Sequence, residues 1–319
     1  MIVVVGMSEK TFAQSRWIGI MPMEFNPSFA GNSGGHRIVA LGGYEHSGGK
    51  TQQLNFYSYR DFRKQSSPLG VISYDNFIPK LASGVGVYFS EINSKWGSRL
   101  EGDTVPSRND DKAMKAGINI SPKISIRGKY TIAPSVGLNF RHYNYNFYSG
   151  KNIHYLDKQS FKSDIFYIST GLLFNTKQFY VGYAYFFAPY TGGANIRSLY
   201  EDKNLKEKSY GYIQAGYNFR KSMDSKASYT IQSIIMTKTK MDWNDLINNI
   251  NFTFKYKKVL LGLSTSSFGG AQWFAGLGYQ TEKIKIFYSQ NLQYVNYLYS
   301  GELSCRILIP NKQKTFYQF

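Results

Sequence analysis

The sequence predicts an all-β fold, a transmembrane antiparallel β-barrel of about 14 strands, of the kind found in bacterial outer membranes. Three observations lead there. Aromatic residues make up 17% of the chain, with 27 Tyr and 23 Phe, about twice the share in an ordinary soluble domain. Outer-membrane barrels use such a surplus to ring both bilayer interfaces with side chains that have an apolar body and a wet tip. Segments of about ten residues alternate apolar with small or polar side chains and are separated by turn chemistry. No window approaches the roughly 18 apolar residues of a spanning helix, so crossing a bilayer falls to strands.

The elements follow in order. Residues 1–13 read as the remnant of a signal peptide, with Thr11-Phe12-Ala13-Gln14 resembling its cleavage site. Residues 14–36 form an N-terminal periplasmic lead-in, and 37–319 a single barrel domain. Strands are expected at 37–46, 51–63, 68–77, 82–91, 113–122, 129–141, 164–175, 178–187, 208–219, 227–238, 246–257, 259–267, 271–281, 283–291 and 300–309. The clearest is 129–141, where Tyr130, Ile132, Pro134, Val136, Leu138 and Phe140 share one face and Lys129, Thr131, Ala133, Ser135, Gly137, Asn139 and Arg141 the other. Fifteen strands is an odd number, whereas single-chain bacterial barrels have an even one. Long connections at 92–112, 142–163 and 188–207 are expected to face outside, and short turns at 123–128, 176–177 and 220–226 the periplasm. That parity makes 51–63 the first rising strand and 37–46 the surplus one, leaving fourteen.

Lys and Arg outnumber Asp and Glu to give a net charge of +18, which attracts lipid A, acidic protein surfaces or other anionic partners. The basic residues lie singly between aromatic and Gly residues, which argues against a nucleic-acid partner. Cys305 is the only cysteine, excluding an intrachain disulfide and a thiolate zinc cluster. His36, His46, His142 and His154 accompany no nucleophile elbow and form no His-x-x-x-His pair, while Asp103, Asp110 and Asp111 lack calcium-loop spacing. No catalytic, cofactor-binding or metal residue is therefore expected. Asp61 and Asp75 are candidate lumen charges, paired with Arg60, Arg63 or Arg141 in a structural ladder. Gly84-x-Gly86 and Gly276-x-Gly278 fall within strand patterns, where Gly marks close packing.

One segment is more specific than periodicity. Phe25-Asn26-Pro27-Ser28-Phe29-Ala30-Gly31, followed by Gly34-Gly35-His36-Arg37, resembles the Asn-Pro-Ala-Tyr/Phe-Ala-Gly signature of the PorP/SprF family of type IX secretion and gliding-motility membrane proteins. Ser73-Tyr74-Asp75, Gly84-Val85-Gly86-Val87, Phe179-Tyr180-Val181-Gly182, Ala215-Gly216-Tyr217-Asn218-Phe219 and Gly301-Glu302-Leu303-Ser304 resemble later family stretches in the same order. The interval from Arg37 to Ser73 is longer than the family's by one hairpin. The resemblance implies a non-enzymatic outer-membrane component from a Bacteroidetes-type bacterium. Its partners would be periplasmic secretion machinery or a secreted cell-surface adhesin. Asn26, Pro27, Phe29, Ala30, Gly31 and Arg37 would then form a docking element for such a protein. Two other readings stay open: a passive porin or anion-selective transporter, and a barrel hydrolase of lipid.

Overall fold

The computed structural model describes residues 22–33, 35–47, 59–60, 65–66, 69–100, 107–152, 155–192, 209–219, 226–238, 247–266, 272–292 and 298–310. They form one closed antiparallel barrel whose wall holds fourteen strands. In chain order these are β1 (Gly35–Ser47), β4 (Leu69–Ile78), β5 (Ser83–Leu100), β6 (Ser107–Pro122) with its continuation β7 (Ile124–Ile126), β8 (Tyr130–Asn152), β9 (Tyr155–Asn175), β10 (Phe179–Gly192), β11 (Tyr210–Phe219), β12 (Ala227–Lys238), β13 (Ile247–Tyr256), β14 (Val259–Ser266), β15 (Gln272–Gln280), β16 (Ile284–Asn291) and β17 (Leu298–Pro310). Two short pieces, β2 (Tyr59–Arg60) and β3 (Gln65–Ser66), pair along β5 beyond the end of β4.

The alternation is what closes this sheet into a barrel with an inside and an outside. On β8, Thr131 and Ala133 are buried while Val136 and Leu138 are exposed; on β10, Tyr180 and Ala184 are buried while Val181 and Tyr183 are exposed. On β13, Asn249 and Asn251 turn in, and Ile250, Phe252 and Tyr256 turn out. Apolar side chains thus cover the outer surface, and polar ones fill much of the interior, the reverse of a soluble sandwich. Aromatic contacts such as Tyr130–Phe174, Phe174–Phe179 and Tyr217–Phe219 lie on that outer face near the short turns.

Closure corrects the expected strand order. Segment 37–46 is not surplus: β1 pairs with β17 from Gly35↔Pro310 to Ser47↔Leu298, and with β4 from Arg37↔Asp75 to Gly43↔Leu69. Its two edges join the first and last parts of the wall, so no position remains there for 51–63. Of that segment only Tyr59–Arg60 falls among the described residues. Parity read from loop lengths failed because a strand's place depends on which distant edges it satisfies. The interval with the extra length is the connection between β1 and β4.

Two of the three expected long loops are also corrected. β5 and β6 stay paired out to Ser98↔Ser107, and β8 and β9 out to Ser149↔Asp157. Beyond the bilayer a strand no longer needs an apolar outer face, so backbone pairing continues through Asn109-Asp110-Asp111 and other polar stretches that read as loop. In the third, β10 runs to Gly192, and 193–208 lie outside the described residues, as does the expected signal remnant at 1–13.

Candidate functional site

Inside the barrel, two single turns of 3-10 helix, η1 (Pro22–Glu24) and η2 (Pro27–Phe29), form a plug. The local sequence dictates the turn. Asn26 caps η2, its side chain accepting from the Ser28 N–H at 2.9 Å, and Pro27 at the first helical position has its φ preset and no N–H to satisfy. Ala30 N–H then donates to the Pro27 carbonyl at 3.1 Å. Gly31 follows with φ +67°, a left-handed conformation that glycine adopts without penalty.

The wall is shaped to receive this turn. η2 packs against β6, β8, β9 and β10, and η1 against β5. A Cβ on Gly84 would lie 1.9 Å from the Ala30 carbonyl oxygen, and one on Gly171 2.5 Å from Asn26 Oδ1, so these wall glycines leave the plug backbone its space. Phe29 meets Tyr180 edge to face at 5.3 Å between ring centroids, and Phe25 meets Tyr212 at 5.5 Å. Met23, Phe29 and Ala30 join Ala133, Leu173 and Tyr180 in one buried apolar cluster.

Polar contacts satisfy the plug's backbone. Asp75, fully buried on β4, accepts from the Gly31 N–H at 2.9 Å and from Arg37 Nε at 2.6 Å. Arg37 also donates from Nη2 to the Phe29 carbonyl at 3.2 Å. Lys123 Nζ donates to the Ser28 carbonyl at 2.6 Å, and the Ser28 and Ser135 hydroxyls share a 2.7 Å bond. Asn175 Nδ2 donates to Asn32 Oδ1 at 2.8 Å, and Lys115 Nζ reaches Glu24 Oε1 at 3.3 Å. Buried carbonyls and amides that would each cost energy unpaired thus meet a wall partner.

The sequence-predicted residues Asn26, Pro27, Phe29, Ala30, Gly31 and Arg37 are therefore brought together, but facing inward. In this arrangement their side chains are not a docking surface, because all six are buried against the wall. Asp75 points into the lumen, and among the described residues Arg37 on the neighbouring strand is its ion-pair partner; Arg37↔Asp75 are directly opposite in the β1–β4 ladder, whereas the expected partner Arg141 is three strands further along the wall. Arg141 is half-buried, lies over the Tyr143 ring at 4.3 Å and donates to the Tyr143 hydroxyl. Asp61, Arg63 and the side chain of Arg60 lie outside the described residues. Sequence reasoning missed Lys123, Glu24, Lys115 and Asn175. A lone lysine in an expected short turn was the only trace of Lys123.

His142 Nδ1 lies 2.6 Å from Asp164 on the outer face of β8 and β9, and His36 Nδ1 lies 2.8 Å from the Tyr74 hydroxyl. Neither ring is hydrogen-bonded to a serine among the described residues.

No family model matches this sequence, and no curated protein matches it. Its fold is similar to solved outer-membrane transporters. The Ralstonia pickettii toluene transporter TbuX superposes with a TM-score of 0.57 at 10% identity, over 92% of this chain and 94% of that one. The Pseudomonas putida toluene transporter TodX gives 0.53 at 11% identity, over 88% and 90%. At such identities the likeness is one of fold.

Proposed function

We propose that this chain is an integral outer-membrane barrel and a non-enzymatic component of a type IX secretion or gliding-motility apparatus, working with periplasmic machinery or a secreted cell-surface adhesin. The apolar outer belt supports the membrane location. The observation that carries the secretion reading is the use to which the Asn26–Gly31 segment is put. The segment that most resembles the PorP/SprF signature is spent on a turn packed against the inner wall, and a lumen so occupied suits a protein that works through its surfaces more than one that passes solutes freely. The rims then bear the partners, chiefly the β5–β6 and β8–β9 hairpins, which continue past the bilayer.

The test is deletion of the gene in its own host, followed by surface proteomics and pull-down of the tagged barrel. The expected result is loss of one large surface protein and co-purification of it or of a periplasmic secretion component. An unchanged surface proteome would overturn the reading. The fold shared with toluene transporters favours a second reading, a solute transporter. Steady ion current from the purified wild-type protein in planar bilayers would favour it.

A further inference from the structure

We propose that the inner wall of β16 and β17 carries an anion site at the short-turn end of the lumen, in which Lys285 and Arg306 together hold a small phosphate- or carboxylate-bearing solute. The two residues are directly opposite each other in the β16–β17 ladder. Both point inward. Phe287 and Ser289, which share the Lys285 face, are buried, as are Ser304 and Leu308 on the Arg306 face, while Ile284, Ile286, Ile307 and Ile309 are exposed on the other side. Lys285 and Arg306 are each half-buried, shielded from bulk water yet open toward the lumen.

Like charges placed directly across a ladder repel, and more so where the dielectric is low. Neither cation has an ion-pair or hydrogen-bond partner among the described residues. Lys255 adds to the positive charge around Lys285, while Arg37 and Asp75, themselves an ion pair, act on Arg306 with opposite signs. Both Asp75 oxygens are bonded to Gly31 and Arg37, so Asp75 offers Arg306 no direct hydrogen bond. An oxyanion between Lys285 and Arg306 turns their repulsion into charge-assisted hydrogen bonds. The guanidinium fork is suited to two oxygens at once, and the ammonium to a third. The plug's polar contacts go to Asp75, Arg37, Lys123, Ser135, Asn175 and Lys115, and neither Lys285 nor Arg306 is among them. The inference is independent of the secretion role and requires only that the barrel fold.

Inorganic phosphate titrated into the purified full chain in a neutral detergent tests it, by calorimetry and by thermal unfolding, with native mass spectrometry of the starting material. Saturable binding is expected, with a raised unfolding temperature, weakened at least tenfold in Lys285→Gln, Arg306→Gln and their double variant and largely kept in Arg306→Lys. Retained heat-modifiable migration on gels shows that each variant is folded. A phosphate-bearing lipid carried through purification by the wild type and lost from the double variant supports the same site and identifies a headgroup as its occupant. Neither saturable phosphate binding nor such a lipid in the wild type, or equal binding in the folded double variant, overturns the proposal.

Discussion

Replacing Gly84 by alanine probes the plug without touching a charge. The new Cβ would stand 1.9 Å from the Ala30 carbonyl oxygen and 2.8 Å from the Gly31 Cα. Ordinary contact begins near 3.4 Å, so one side must retreat by about 1.5 Å. The wall is the stiffer partner, because Gly84 is held in ladders on both sides, opposite Phe77 and Ser121. The plug therefore moves, and the bonds from Gly31 to Asp75 at 2.9 Å and from Arg37 to Phe29 at 3.2 Å break. Hydrogen bonds to charged groups contribute about 1.5–3 kcal/mol each, so losing two costs about 3–6 kcal/mol. That raises the released population by roughly two to four powers of ten. The assay is maleimide labelling of Ser28→Cys in a Cys305→Ser background, since Ser28 is fully buried in the seated plug. Labelling accelerates at least a hundredfold when Gly84→Ala is added, while the barrel keeps its heat-modifiable migration. Equal labelling rates in the two folded proteins would refute the reasoning.

Three further outcomes are expected. Ala40 stands directly opposite Cys305 in the β1–β17 ladder, and opposed Cα atoms about 4.5–5.5 Å apart fit disulfide geometry; Ala40→Cys should oxidise to an intrachain crosslink visible on non-reducing gels, and its absence would contradict closure by β1. Asp75→Asn leaves the Arg37 guanidinium buried without its counter-charge and should destabilise the folded state by about 3–5 kcal/mol in urea unfolding, whereas the paired change Arg37→Leu with Asp75→Leu costs less; similar losses in both would show that charge balance is not the issue. Leu138, 61% exposed on the outward face of β8, should face hydrocarbon, so Leu138→Arg should cost about 2–4 kcal/mol on folding into liposomes, and a neutral result would remove this face from the bilayer.

Much of the wall was legible because the period of two is a local property. Tyr130 to Arg141 divided correctly into an outward and an inward face, since lipid and lumen select side chains residue by residue. The hairpin ends were not legible: past the membrane the outer face no longer needs apolar side chains, so Asn109 to Asp111 carried only turn chemistry although the backbone there is paired. The role of the Asn-Pro-Ser-Phe-Ala-Gly segment was half legible. Its residues announced a tight turn, but nothing local said that Gly84, Gly171 and Lys123, far along the chain, would surround it.

The sequence by itself determined an antiparallel transmembrane wall of about 14 strands and the outer face of its clearest strand, because both follow from which solvent each alternate side chain meets. Only the tertiary structure decided that β1 closes the ring, that Asp75 belongs to Arg37, that the N-terminal motif turns into the lumen, and that Lys285 and Arg306 confront each other. These depend on which edges meet when the sheet closes, and closure joins residues whose separation in sequence carries no local signal.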